Sequence, residues 1–248
     1  MREIRFEGLN EAELAERLGL PRVVLRERTT STMDVAHGVA STGAPPGTLV
    51  LTDEQTRGRG RSGAKWSASP GQAILCTLVE RPAVGAVLDV LSLRVGLQLA
   101  AALDPLADAR IALKWPNDLY VNGRKLAGIL IETRWRVRNA EWVAVAAGIN
   151  VGAPPADVPG ATGLKAGTSR LDALMRAIPA MRRAVELMGE LTTRELDEWR
   201  SRDYLAGKRI AEPIAGVAAG ILPAGDLLIE TDEGERSVRT GSVVLENA

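Results

Sequence analysis

"RIALKWPNDLYVNGRKLAGILIETR", residues 110–134, decides how the chain is read. Three apolar runs are divided by two turns. Pro116-Asn117-Asp118 supplies turn chemistry, because proline presets φ and short polar side chains bond their own backbone. Asn122-Gly123 is the strongest short hairpin signal, since both residues tolerate positive φ. Strands joined this tightly are antiparallel neighbours. "WVAVAAGINV", residues 142–151, adds a fourth. The expectation is an antiparallel meander with helices packed on one face, an α+β fold whose sheet is mixed or antiparallel.

Upstream, "EAELAERL" at 11–18 has short helical spacing and stops at Gly19 and Pro21. A strand is expected at 23–27. Hydroxyl caps at 29–32 precede a short helix ending at Gly43. "TLVLTDEQ" and "QAILCTLVE" read as strands. Residues 84–103 read as one buried helix, apolar over much of its surface. Residues 151–167 are a Gly/Pro/Ala-rich loop, and 170–200 are largely helical, with Pro179 starting or kinking a helix. After Tyr204, short apolar runs alternate with Gly, Pro and Asp, which predicts four or five strands in a small barrel. The expected domains are 1–203 and 204–248.

The bulk composition narrows the function. Lys plus Arg equals Asp plus Glu, at 31 each, so no overall basic excess points to nucleic acid. One cysteine, Cys76, allows no internal disulfide and sits in an apolar strand, where core packing explains it. No run approaches the roughly 18 apolar residues of a membrane span. The N-terminus is charged throughout and has no signal-peptide apolar stretch. These readings predict a cytoplasmic protein without a membrane partner.

Against that neutral background, "TRGRGRSGAKW" at 56–66 gathers three arginines and one lysine among glycines. Three readings are open: a nucleic-acid contact, an anion-binding loop, or a solvated surface loop. Glycines 58, 60 and 63 let backbone approach a ligand. Arg59 and Arg61 carry planar donors suited to carboxylate and phosphate. The spacing is not that of a Walker A loop. Lys114, Asn117 and Asp118 bunch at one sheet end, Lys125 enters an apolar strand, Gly128 interrupts it, and Asn150 ends the next. Hairpin pairing brings these strand ends together. A pocket with several cations, a few amides and one carboxylate suits a small molecule bearing phosphate or carboxylate.

"QTRGRGRSGAKW", "KWPNDL", "RKLAGILIE" and "GIN", in this order, closely resemble the biotin protein ligases. "TSTM" at 30–33 is similar to that family's "STN", and the small C-terminal barrel resembles its SH3-like domain. The resemblance implies a ligase that uses biotin and MgATP to form biotinyl-5'-AMP, then transfers biotin to a lysine of a biotin carboxyl carrier protein or domain. It implies catalytic roles for Lys125, Arg59, Arg61 and Asp118. It implies biotin contacts from Ser31, Thr32, Gln55, Gly58, Arg59, Arg61, Lys125 and Gly128. Nucleotide contacts would come from Arg59, Arg61, Trp66, Lys114, Asn117 and Asn150. Mg2+ would travel with ATP, and no protein ligand for it is named. A monomer or a homodimer is equally compatible.

The chain departs from the family pattern at Met33, Arg57 and Ala73, which are expected at the pocket rim. About 28 residues precede "TSTM", fewer than the roughly 50 of a small domain, so no DNA-binding module and no repressor function are expected. A lipoate or octanoate ligase would lack "GRGR" and "KWPND". A nucleic-acid binder would need aromatic platforms beside the arginines, and only Trp66 is near. His37, the single histidine, is expected as an exposed helix residue. One His and one Cys cannot make a His/Cys metal cluster.

Overall fold

The computed structural model describes residues 3–137 and 139–246. The outermost residues of the two expected domains, 1–2 and 247–248, lie outside the described residues. The predicted meander forms from β4 (Ala112–Lys114), β5 (Asp118–Val121), β6 (Arg124–Arg136) and β7 (Asn139–Asn150). Each pairs antiparallel with the next. Asn122 and Gly123 take φ +50 and +75, as the tight turn between β5 and β6 demands.

β1 (Arg22–Thr29), β2 (Thr48–Gln55) and β3 (Ala73–Glu80) extend this meander through β7. The seven-stranded sheet has the order β1-β2-β3-β7-β6-β5-β4. Among the described residues β1–β2 is the one parallel strand pair, so the sheet is mixed. β1 and β2 are joined through α2 (Thr32–Ser41), the crossover a parallel pair requires.

Helices cover both faces of the sheet, not one. α2 lays Ala36 and Ala40 on Val24, Val50, Val79 and Trp142. α3 (Leu91–Leu103) and α4 (Arg170–Glu186) pack with the alternate residues, including Leu49, Leu51, Ile74 and Leu78. β3 is buried at all eight positions, which is what a strand sandwiched between two helical layers must be. Full burial of each leucine contributes roughly 1.5–3 kcal/mol relative to exposure.

α3 is shorter than the sequence suggested. Gly85 takes φ +80 and residues 84–90 form turns, so the helix starts at Leu91. Pro179 lies inside α4. Caps match the sequence elsewhere: Asn10 and Glu13 form a capping box on α1 (Glu11–Leu18), which ends at left-handed Gly19. α5 (Thr193–Arg200) begins with a second capping box from Thr192 and Glu195.

The C-terminal strands are β8 (Arg209–Glu212), β9 (Gly216–Ile221), β10 (Leu227–Thr231), β11 (Gly234–Val238) and β12 (Val244–Leu245). They make a five-stranded antiparallel sheet of order β11-β10-β9-β8-β12. Its Ile210, Ala218, Leu227 and Ile229 join the same hydrophobic core as α3 and α4. Trp115 Nε1 donates to the Gly225 carbonyl at 2.9 Å, tying the two sheets. Among the described residues no helix is long and apolar enough to cross a membrane.

Candidate active site

Lys125 and Asp118 are the centre of the site. They sit on adjacent strands, and Lys125 Nζ lies 2.7 Å from Asp118 Oδ1. Asp118 pairs across the ladder with Gly128, and Gly128 with Gly148. The two glycines leave a notch in the sheet face, and the Trp66 ring fills it. A Cβ on Gly148 would come within 2.7 Å of Trp66 Cζ2 and Nε1, and one on Gly128 within 3.1 Å of Cζ3. Buried in this notch, Trp66 Nε1 has no hydrogen-bond partner among the described residues.

The loop reaches the notch through a short antiparallel bridge between Arg59 and Lys65. Trp66 N–H donates to the Gly58 carbonyl at 3.0 Å. Gly58 is required there, since a Cβ would run into the Trp66 carbonyl and crowd Gln55 Nε2 at 3.0 Å. Gln55 is itself fixed: its Oε1 accepts from Thr32 N at 2.8 Å and Thr32 Oγ1 at 3.1 Å. Thr77 Oγ1 donates to Thr32 Oγ1 at 2.8 Å, and the Ser31 hydroxyl caps α2. With Oε1 committed, the Gln55 amide nitrogen is the group left to donate.

One cavity of about 150 Å³ gathers the predicted residues Ser31, Thr32, Gln55, Arg59, Arg61, Trp66, Asn117, Asp118, Lys125 and Gly128. Its lining carries four cations, Arg59, Arg61, Lys65 and Lys125, and the single carboxylate of Asp118. A second cavity of about 530 Å³ adjoins it and shares Lys65, Trp66 and Lys125. Lys114 and Asn150 line this second cavity instead of the first, and Gly58 lines neither. The first is smaller than the roughly 300–1,000 Å³ of pockets for drug-sized ligands, the second within that range.

Four residues behave differently from expectation. Asn117 donates its amide to the Ile129 carbonyl at 2.7 Å, so it closes the strand turn as well as lining the cavity. Met33 and Ala73 are buried, so those departures do not sit on a rim. Met33 lines the main cavity. His37 is half-buried, with both ring nitrogens partnered.

Burial lowers the pKa of Lys114; the Asp118 charge opposes this, and the Lys125 and Lys208 charges reinforce it. The Tyr120 phenol, pushed up to about 12 by burial and by Asp118, stacks on Tyr204 with centroids 4.5 Å apart. Cys76 is buried on the wall of the main cavity, and desolvation pushes its thiol up to about 12, away from the thiolate form.

Sequence reasoning missed Gly148, although it stood inside "GIN" and opposite a noted glycine. It also missed Ser242 on the main cavity and Val243, Val244 and Leu245 on the second. Nothing local marks those four, since the C-terminal sheet carries them there.

A cation-rich cleft at the end of a mixed sheet is a site for an anionic ligand. Residues 25–150 match the model of the biotin/lipoate A/B protein ligase family, and the chain belongs to that family. It is 32% identical over 241 residues to a biotin–[acetyl-CoA-carboxylase] ligase of Paracoccus denitrificans, covering 87% of this chain and 97% of that one. It is 34% identical over 158 residues to the bifunctional ligase/repressor BirA of Bacillus subtilis, covering 63% of this chain. It spans only 47% of that longer relative. The fold matches a biotin protein ligase from Aquifex aeolicus in complex with biotin and ATP. The TM-score is 0.76 at 24% identity, over 91% of this chain and 99% of that chain.

Proposed function

We propose that the protein is an ATP-dependent biotin ligase. It activates biotin as biotinyl-5'-AMP and passes the biotinyl group to one lysine of a biotin carboxyl carrier protein or domain. The observation that carries this reading is the lining of the main cavity, four cations around one carboxylate, on a chain of this family. Two anions must meet in the first step, when the biotin carboxylate attacks the α-phosphorus of ATP and pyrophosphate leaves. Cations already held in place offset that repulsion without reorganisation. Lys125, paired with Asp118 on the sheet, serves the carboxylate and the new acyl-phosphate. Arg59 and Arg61 bring charge from the loop.

Ser31, Thr32, Gln55 and the backbones of Gly58 and Gly128 serve the biotin ring, whose polar atoms need partners when buried. The second cavity, with Trp66, Lys114 and Asn150, serves the nucleotide, and Asn117 lies at the junction. Asp118 acts in the second step, orienting or deprotonating the incoming lysine so that a neutral amine attacks the acyl carbon. Between the two steps the loop covers the acyl-phosphate intermediate, which water would otherwise hydrolyse.

Mg2+ would enter on the ATP phosphates, needing few protein ligands. Among the described residues no group of three or more His, Cys, Asp or Glu could cage it, and Asp118 is engaged by Lys125. The proposed division places the ligase domain at 1–203 and an SH3-like domain at 204–248.

ATP–pyrophosphate exchange tests the reading. Exchange should require biotin, and its absence with biotin present defeats the proposal. In parallel, Asp118→Asn should keep exchange but lose transfer from preformed biotinyl-AMP. Slowed exchange with normal transfer would remove the assigned role.

A further inference from the structure

The chain's one histidine links the sheet to the basic loop. Trp142, on β7, donates its indole N–H to His37 Nδ1 at 2.9 Å. An indole nitrogen only donates, so Nδ1 is the unprotonated acceptor. The neutral ring then carries its proton on Nε2, which faces Glu132 Oε2 on β6 at 2.9 Å. The other Glu132 oxygen lies 3.6 Å from Arg59 Nη2. The same nitrogen meets Asp34 Oδ1 at 2.8 Å, and Thr30 donates to the second Asp34 oxygen at 3.1 Å. Asp34 and His37 are three apart on α2, hence neighbours on one helix face.

This arrangement has a direction. A histidine that only filled space would not need both nitrogens matched to partners of opposite hydrogen-bonding sense. The line runs from a buried tryptophan to a half-exposed loop arginine. Arg59 makes only its Asp34 hydrogen bond among the described residues, so its Nε and Nη1 edge is uncommitted there. Arg59 also lines the main cavity.

We propose that His37 is a positioning residue: through Glu132 it fixes the Arg59 guanidinium by one nitrogen, and with it the 56–66 loop, leaving the other edge to meet the ligand anion. The inference rests on the ligase reading only for the identity of that anion. Because Arg59, Asp34 and Glu132 are substantially exposed, their pairing adds little to global stability. The relay acts on the loop.

Trypsin cleavage of the ligand-free protein within residues 57–65, with biotin binding by calorimetry, tests this. Glu132→Gln removes the second of the two carboxylate charges at Arg59 Nη2, leaving the Asp34 contact in place. Cleavage should rise and biotin affinity fall, each by about two- to fivefold, the scale of an exposed ion pair. His37→Asn keeps an acceptor near Nδ1 but cannot reach Glu132, so it should match Glu132→Gln. His37→Gln puts an amide N–H near the Nε2 position and should restore wild-type cleavage. Wild-type cleavage in both Glu132→Gln and His37→Asn would overturn the proposal. So would His37→Gln cleaving as fast as His37→Asn, which would leave the ring a packing role. If His37→Asn does not fold, wild-type cleavage in Glu132→Gln, or raised cleavage in His37→Gln, overturns the proposal instead. Absent biotin-dependent exchange with the cleavage pattern intact would sink the ligase reading and leave the relay standing.

Discussion

Arg94 and Arg59 carry the same side chain and are held in opposite ways. Arg94 lies on α3 and is 2% exposed. Its guanidinium donates to Glu195 at 2.8 Å and to the carbonyls of Leu187, Met188, Gly189 and Glu190, the link between α4 and α5. Arg59 is half-exposed and makes one hydrogen bond among the described residues. A buried charge persists only when its donors are satisfied, so the fold saturates Arg94. A charge meant for a ligand must keep donors unsatisfied, which water tolerates on a loop. Between these two arginines the number of partners separates the one the fold saturates from the one the proposed function assigns to a ligand.

The largest expected effect breaks the comparison at its structural end. Arg94→Ala leaves Glu195 with its Thr192 bonds but without its cation, removes the donor to four carbonyls, and should cost about 3–5 kcal/mol in a denaturant titration. A loss below ~1 kcal/mol, typical of a surface pair, would show that the clamp holds nothing. At the functional end, Lys125→Ala should lower biotin-dependent exchange by about 10²–10³, as removal of one preorganised electrostatic contact does. Its melting temperature should stay near wild type; a large drop would make Lys125 a second Arg94.

The smallest effect is a pH dependence. Burial alone would raise the Glu195 carboxyl, but hydrogen bonds from Arg94 and Thr192 and the Arg94 charge outweigh it and hold the pKa below 4.5. A depressed folded pKa gives stability that is present above the unfolded value and lost as pH falls through the folded one. Acid titration of stability should therefore show an extra loss below about pH 4.5, shared with other carboxylates. That extra component should vanish in Glu195→Gln. An unchanged acid limb in that variant would remove Glu195 from the account.

The meander was legible because its signals are local. Asn122-Gly123 and the Pro116 turn fix which strands are neighbours, so Lys125, Asp118 and Gly128 could be placed together. Which face each helix takes was not legible. An unbroken apolar strand such as β3 says that both faces are covered, not by what. The start of α3 was hidden because residues 84–90 are as apolar as the helix they precede. Pairings across great separation left no trace: His37 and Glu132 are 95 residues apart, and Arg94 and Glu195 are 101 apart. Nothing local marked Arg94, because its partners lie in a segment with no pattern of its own.

The walls of the two cavities are drawn from residue 31 to residue 245. The sheet that holds Lys125 and Asp118 is complete at Asn150, yet Ser242 and the 243–245 segment close the site. At roughly 5–20 residues per second, a ribosome takes roughly 5–20 s to cover that interval. During it the nascent chain displays its cations with one wall missing. The enclosed site therefore comes into being only after the 242–245 segment has been made and has folded back.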